Sequence, residues 1–374
     1  MYKRRERSAH FDYQIRTTFA FLCSFIPDIY LIVFCRFMVG FFIYGTITQA
    51  FVLISEIVGN AERHFACLVM FGFATIGILL LDLEAYLLQN WRIVNIISTV
   101  PCFFILLFYK IIPESIQWLQ ANGRDEEVVQ VLRRIGKWNK KPLPDDFIFQ
   151  PQDTQANKKA SVTDLFRDRK LAVASLQQGY LWLVIAMAYY GIYMASADLG
   201  GDFYANMVFL NLVDIPALLT TIYLMDKIGR KWPVLGSMLI GGIFCIGVGI
   251  APPSEKIARV VLGNIGKCFI CVAFDGIYNW SVELYPTEVR SAAMGFLAVA
   301  GRIGSTSAPW IAQGLKPIAT WLPFVMLGAP SVVAFFVSFS LRETKMKKNL
   351  VKDSNGSMNL GEPNNQYDNV ERGV

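Results

Sequence analysis

The chain contains little of what soluble enzymes are made from. Only 17% of its 374 residues are charged, whereas 54% are apolar, and the mean hydropathy is +0.41. This composition excludes a disordered chain, a collagen and a disulfide scaffold, and it indicates that lipid surrounds most of the protein. The net charge of +6 comes in short bursts between apolar runs. That pattern is typical of membrane topology, so we expect no nucleic-acid partner.

Histidines and cysteines are too isolated in the sequence to build a catalytic or metal centre. The two histidines, His10 and His64, lie near the ends of apolar runs and have no partner nearby. All seven cysteines fall inside apolar runs, and the CxxC formed by Cys268 and Cys271 has no second pair beside it. We interpret them as small buried hydrophobes. The sequence therefore predicts no cofactor, no metal site and no enzymatic activity.

Ten apolar runs are long enough to cross a hydrocarbon core of about 30 Å as helices. They cover residues 9–26, 29–54, 65–88, 93–112, 171–195, 203–225, 232–251, 257–282, 291–314 and 320–341. An all-α, multi-pass membrane protein in a lipid bilayer is predicted.

A polar, basic segment between the fourth and fifth runs divides the chain. We expect an incomplete N-terminal bundle of about four helices at 1–112 and a cytoplasmic linker at 113–170, with a short helix at 124–137. A six-helix bundle at 171–345 and a disordered tail at 346–374 follow. Lysine and arginine are concentrated in the termini, the linker and alternate connections, which places both termini in the cytoplasm. The chain opens with charge and carries no cleavage-site pattern, so no cleavable signal peptide is predicted.

An internal repeat relates the two halves. Three charged residues recur at offsets of 227, 227 and 229 residues: Glu56 and Glu283, Arg63 and Arg290, Glu114 and Glu343. Two parallel copies at such an offset are typical of a twelve-span transporter. The second half has two spans before its DKIGRK segment, whereas the first half has none before the matching basic residues. We therefore expect that two spans precede the helices of this chain in its relatives.

Several motifs together resemble a known family. They are DKIGRK (226–231), RFMVG (36–40), PESIQWL (113–119), LGGDFY (199–204), Gly266 with Lys267, and ELYPTEVR (283–290). The combination resembles the major facilitator superfamily, and within it the organic cation, organic anion and carnitine transporter family. The resemblance implies two helical bundles, about ten of twelve transmembrane helices in this chain, a plasma-membrane location and a small organic ion as substrate.

Arg302 lies close to the predicted midplane. It lies about 12 residues, or about 18 Å, into its span, and burial of such a group costs roughly 2.5 to 3.5 kcal/mol. Its neighbours are small, which would leave room for a carboxylate held bidentately. A structural pair with an acid on a neighbouring helix is the alternative. The resembled anion and carnitine carriers have an arginine at the position of Arg302, whereas the cation carriers have an aspartate.

Acidic and aromatic residues provide candidates for the opposite charge. Asp275 and Asp82 lie within spans and would bind an ammonium group or pair with Arg302 or Lys267. Asp214 is mid-span beside Pro216, where a kink is expected. The resemblance makes the Asp214 element a shared feature, but anion carriers have a lysine where Leu218 stands here. Tyrosines would add aromatic lining and cation-π contact, and the candidates are Tyr189 and Tyr190, with Tyr193 and Tyr204 better explained as interfacial anchors.

Charged residues at the predicted cytoplasmic span ends are candidates for gating. Carboxylate and guanidinium pairs there would lock one state of the carrier and break as the halves move. The candidates are Asp226, Arg230, Glu283 and Arg290 in the second half, and Glu56, Arg63 and Glu114 in the first.

Three hypotheses follow from the sequence. The first is a carrier of small organic ions, carboxylate-bearing or zwitterionic like carnitine, working by alternating access. The second is a sugar porter, because Gln177 and Gln178 open the fifth span, although the SGIN pattern of sugar porters is absent. The third is a truncated, non-transporting isoform that regulates full-length carriers by associating with them.

Overall fold

The computed structural model describes residues 4–58, 63–105, 116, 119, 123–140, 161–196, 202–285, 287–344, 350–352 and 358–360. Side chains inside some of these helices are not described, among them those of Glu56 and Arg63, and Glu114 lies outside the described residues. The first-half gating candidates therefore stay predictions.

The described parts of the first half and the linker are mostly helical. The helices are α1 (Arg4–Leu22), α2 (Ile29–Ile57), α3 (Arg63–Leu88), α4 (Trp91–Ile105) and α5 (Asp125–Trp138), followed by a 3-10 turn at Val162–Phe166. Asp28 caps α2, since its carboxylate accepts the backbone N–H of Tyr30 at 2.7 Å. The linker helix predicted at 124–137 is α5.

The second half contains seven α-helices among the described residues. They are α6 (Arg169–Ser196), α7 (Phe203–Leu212), α8 (Asp214–Lys227), α9 (Lys231–Ile250), α10 (Lys256–Leu284), α11 (Thr287–Pro309) and α12 (Leu322–Val337), with a π-helical turn at Trp310–Gly314 after α11. We call the end at which α3 ends and α7 begins the outer end, and the opposite one the linker end.

Five helices of the described part are long and apolar enough to cross a membrane. They span Val69–Leu88, Arg169–Ala195, Phe203–Lys227, Lys231–Ile250 and Lys256–Leu284. Shorter apolar helices add Ile29–Ile43, Trp91–Phe104 and Leu322–Val337. Large apolar side chains are exposed along these helices, for example Phe73 on α3 and Ile257 on α10. Such extensive exposure of apolar side chains is typical of a chain that is solvated by lipid.

The second half has a continuous core in which α6 is central. Trp182 and Ile185 of α6 pack with Trp280 of α10 and Leu297 of α11, and all four are buried. Gly304 brings α11 against the backbone of α6, because a Cβ at this position would lie 2.0 Å from the carbonyl oxygen of Leu183. Close backbone approach at small residues is how membrane helices pack without a hydrophobic driving force.

Helix α3 faces the second half along a single stripe. Phe71, Thr75, Ile78, Asp82 and Tyr86 follow each other at steps of three or four residues, so they share one side of the helix. Phe71 contacts Tyr278 of α10 at a ring-centroid distance of 5.9 Å. Tyr86 contacts Tyr204 of α7 at 5.6 Å. This stripe positions one wall of the site described below.

Two short strands lie in the tail that is predicted to be disordered. Leu350–Lys352 (β1) pairs antiparallel with Met358–Leu360 (β2). A pair of three-residue strands is too small to be stable alone.

Candidate functional site

The helix break at Val213 places the first acid of the site. Helix α7 ends at Leu212 and α8 begins at Asp214, so the kink expected beside Pro216 is present. Pro216 is in the first turn of α8, where its missing N–H costs no hydrogen bond. The break turns the Asp214 carboxylate into the second half, where it is 4% exposed.

A buried ion pair fixes Asp214. The Nζ of Lys267, which is fully buried, lies 2.8 Å from Oδ1 of Asp214 and also donates to the carbonyl oxygen of Leu210. The hydroxyl of Tyr189 donates to Oδ2 of Asp214 at 3.2 Å. The ammonium further lies 5.6 Å from the ring centroid of Tyr189 and 5.5 Å from that of Tyr193. This set of contacts offsets the cost of burying both charges.

Asp275 lies two helical turns from Lys267 on α10 and is 5% exposed. Its Oδ2 accepts a hydrogen bond from the thiol of Cys271, with an Sγ to oxygen distance of 3.8 Å. A thiol is a weak donor, and Lys267 is already engaged by Asp214. The carboxylate of Asp275 therefore has a much weaker polar environment than that of Asp214.

Asp275 and Asp214 line a recess between the two halves, which we call the acidic recess. Its cavity volume is about 60 Å³. The other residues around it are Phe71, Ala74, Thr75 and Ile78 of α3 and Tyr189, Leu218, Cys271 and Phe274 of the second half. Carboxylates beside aromatic rings suit a cationic group.

Arg302 lines a second recess, which we call the arginine recess. It has a cavity volume of about 10 Å³ and lies among α6, α10 and α11. The remaining residues around it are Trp182, Ile185, Ala186, Tyr190, Phe274, Ile277, Tyr278, Ala298 and Gly301. A guanidinium among aromatic and aliphatic walls suits a carboxylate.

Phe274 lines both recesses. Its ring stacks on Tyr189 of the acidic recess at 4.7 Å between centroids. It also contacts Tyr278 at 5.8 Å and Tyr190 at 6.4 Å, and both tyrosines line the arginine recess. The two recesses are thus neighbours of opposite charge that share one aromatic ring.

Comparison with known proteins identifies the family to which this arrangement belongs. The family model described as sugar (and other) transporter matches residues 12–349. The chain belongs to the sugar (and other) transporter family. Solute carrier family 22 member 13 of Homo sapiens is 29% identical over 90% of this chain and 61% of its own length. Organic cation/carnitine transporter 2 of Homo sapiens is 29% identical over 88% of this chain and 60% of its own length.

The fold matches that of solved transporters. The xylose transporter XylE of E. coli, in a partially occluded inward-open conformation, superimposes with a TM-score of 0.69 at 15% identity, covering 92% of this chain and 82% of XylE. XylE is a major facilitator superfamily protein. The predicted fold class and the predicted resemblance are confirmed, and the relatives are transporters rather than enzymes. The chain spans less than two thirds of the length of the curated relatives named above.

The structure brings together five of the six residues predicted to bind substrate. Asp214, Asp275 and Tyr189 line the acidic recess, and Arg302 and Tyr190 line the arginine recess. Asp82 lines neither, because its Oδ2 accepts a hydrogen bond from Nδ2 of Asn211 at 2.6 Å. Its near neighbour Glu84 faces its own half instead.

Two residues of the site were not among the candidates. Lys267 was named only as part of a family motif and as a partner for an acid, and Phe274 was not named at all. A lysine within an apolar run is itself the signal that a buried partner exists. For Phe274 no signal was available, since 28 phenylalanines occur along the chain.

The small residues around Arg302 are used in two ways. Gly301 lines the arginine recess, as expected for a residue that leaves room beside the guanidinium. Gly304 packs on the backbone of Leu183 and lets α11 approach α6 closely.

The second-half gating candidates lie at the linker end, away from both recesses. Nε of Arg230 lies 3.0 Å from Oε1 and 3.1 Å from Oε2 of Glu283. Nε of Arg290 donates to the carbonyl oxygen of Tyr285 at 3.3 Å. Asp226 is exposed at the end of α8. A gating role for these residues stays a prediction.

Glu343 belongs to the same cluster and caps the start of α9, although it is far from α9 in sequence. Its Oε1 accepts the backbone N–H of Arg230 at 2.7 Å, and its Oε2 accepts that of Lys231 at 3.1 Å. Gly229 makes the approach possible, because its φ is +117° and a Cβ there would lie 2.7 Å from the Glu343 carboxyl carbon. The carboxylate thus accepts hydrogen bonds from backbone N–H groups at the start of α9, which have no acceptor within the helix.

Replacing Glu343 by alanine should loosen the start of α9. Loss of a cap costs about 1 kcal/mol, so hydrogen exchange in a peptide covering residues 229–236 should become about fivefold faster. Glu343→Gln keeps an acceptor oxygen and should have a smaller effect. Glu255→Ala, at the other end of the molecule before α10, is the control and should leave this peptide unchanged. Equal exchange in the Ala variant and the control would refute the capping role.

Proposed function

We propose that this chain carries the binding site of a transporter for small zwitterions, with a carboxylate at Arg302 and an ammonium group at Asp275. The observation that carries the proposal is the pair of oppositely charged recesses that share Phe274 as a lining residue. Transport would proceed by alternating access of the two halves around this site. The protein would lie in the plasma membrane, with the linker and both termini on the cytoplasmic side.

Arg302 supports the carboxylate part of the proposal. The guanidinium is charged at all physiological pH values and holds a carboxylate through two parallel hydrogen bonds. In a low-dielectric recess such a pair is much stronger than in water. The carboxylate position would therefore determine how the ligand is oriented.

Asp275 and the aromatic rings support the ammonium part. Of the two acids in the acidic recess, Asp214 is paired with Lys267, whereas Asp275 has the Cys271 thiol as a donor. A cationic group in this recess would compensate the Asp275 charge and lie near the rings of Phe274 and Tyr189. Leu218 lines this recess at the position where the resembled anion carriers have a lysine, so that additional positive charge is absent here.

A sugar substrate is less well supported. The side-chain amide of Gln177 donates to the carbonyl oxygen of Val337 and to Oγ of Ser340, both at 2.8 Å, at the end of α12. The side chain of Gln178 is fully buried, and neither glutamine is among the residues lining the two recesses. Gln177 therefore joins α6 to the end of α12. Association with full-length carriers stays a prediction.

The proposal is tested by binding of three related probes to the purified chain in nanodiscs. Carnitine carries both charges, choline carries the cation alone and butyrate carries the carboxylate alone. Asp275→Asn should weaken carnitine and choline binding by about tenfold or more, because a charge-assisted contact is lost, and should leave butyrate binding unchanged.

Asp202→Asn is the matched control. Asp202 caps α7 at the outer end by accepting the N–H of Ala205 at 2.9 Å, and asparagine caps equally well, so all three affinities should be retained. If Asp275→Asn weakened butyrate as much as choline, or left choline unaffected, Asp275 would not be the cation site.

A further inference from the structure

The contact between α3 and α7 at the outer end has no part in either recess. Oδ2 of Asp82 on α3 and Nδ2 of Asn211 on α7 are 2.6 Å apart, which joins the first half to the second. Four residues further along α3, Tyr86 meets Tyr204 edge to face at 5.6 Å. Both α3 residues lie on the stripe that faces the second half.

The same stripe continues into the wall of the acidic recess. Phe71, Thr75 and Ile78 line that recess, and Asp82 and Tyr86 follow them one and two turns nearer the outer end. A ligand that leaves the recess between α3 and α7 toward the outer end would pass these two contacts, which join the two helices on that side.

The partner of Asp82 is held in place by the ion pair of the site. Lys267 pairs with Asp214 and donates to the carbonyl oxygen of Leu210, the residue before Asn211. The last turn of α7 is thus fixed by its backbone to α10 and by a side chain to α3. A displacement of Lys267 or Asp214 would shift Leu210 and therefore the adjacent Asn211, which contacts Asp82.

We propose that Asp82 and Asn211, together with Tyr86 and Tyr204, form a gate at the outer end of the recess. Asp82 is then a positioning residue that stabilises the closed state and does not touch substrate. This inference rests on the proposed function, since a gate needs a passenger. The hydrogen bond to an ionised carboxylate is the strong element of the gate, and its loss should raise the ratio of open to closed molecules by about tenfold.

The gate can be tested by pulsed electron spin resonance without any ligand. Spin labels at Leu87→Cys on α3 and Phe203→Cys on α7 report the separation of the halves, and both native side chains are exposed. The seven native cysteines are replaced by alanine, and the full chain is placed in nanodiscs. The otherwise unaltered chain should show one short-distance population.

Asp82→Leu should add a population at longer distance, with the open fraction increased about tenfold relative to the closed one. Asn211→Leu tests the same contact from the other half, and the two changes together should open the gate no further than either alone. Glu84→Gln is the matched control, because the Glu84 carboxylate accepts from Oγ of Ser98 at 2.7 Å within its own half. Its distances should equal those of the unaltered chain.

Unchanged distances in both Asp82→Leu and Asn211→Leu would overturn the gate. An equal opening in Glu84→Gln would do the same, since it would show general loosening of α3. Failure of the three-probe binding test would leave these distances interpretable, so the gate and the proposed substrate are tested separately.

Discussion

Lys267→Met is expected to destabilise the chain by about 3 to 5 kcal/mol, because it leaves the buried carboxylate of Asp214 without its cation. Methionine preserves the length of the side chain, so lost packing contributes little. The Leu210 carbonyl would also lose its hydrogen bond from Lys267, and the hydrogen bond from the Tyr189 hydroxyl to Asp214 would be disturbed. The loss of stability is measured by heating the purified protein in detergent and then determining the remaining folded fraction by size-exclusion chromatography.

Two further variants separate the ion pair from general damage to α10. Lys267→Met combined with Asp214→Asn removes both charges and should regain most of the stability. Lys256→Met at the exposed start of α10 is the control and should behave like the unaltered chain. A Lys267→Met protein as stable as this control would show that the pair contributes nothing measurable.

Arg302→Gln is expected to weaken carnitine binding by about ten- to a hundredfold, because a bidentate charged contact is worth about 1.5 to 3 kcal/mol. Choline, which has no carboxylate, should bind as before. Arg302→Lys keeps the charge but not the fork of donors, so it should recover only part of the carnitine affinity. Equilibrium binding to the chain in nanodiscs gives these affinities.

Arg259→Gln is the matched control for this prediction. Arg259 is also a buried arginine within a membrane helix, but its Nε donates to the carbonyl oxygen of Val248 at 3.3 Å, near the start of α10 at the outer end. Carnitine affinity should be retained there. A parallel loss of choline binding in Arg302→Gln would point to collapse of the site instead of loss of the carboxylate contact.

The helices that carry the charged residues could be predicted from the sequence, but direction around the helix could not. Apolar runs placed Arg302, Asp275 and Asp214 on α11, α10 and α8, and the break beside Pro216 followed from proline chemistry. Asp82 lies within its span as Asp214 does, yet it faces Asn211 across the halves. Which neighbour an acid meets depends on how two helices pack, and that information is not local.

The glycines near Arg302 show why small residues are ambiguous in sequence. A glycine beside a charge can leave space for a ligand or let another helix approach. At Gly304 the backbone of Leu183 occupies the position that a side chain would take. Phe274 could not be recognised from the sequence either, because its importance comes from its position beside two recesses and not from the chemistry of its side chain.

A cryo-electron microscopy structure of the chain with carnitine bound tests the central claim most directly. The account predicts the carboxylate within hydrogen-bonding distance of the Arg302 guanidinium and the trimethylammonium group beside Asp275, with the ligand passing the edge of Phe274. Density for carnitine outside both recesses, or with its ammonium group toward Arg302, would contradict it.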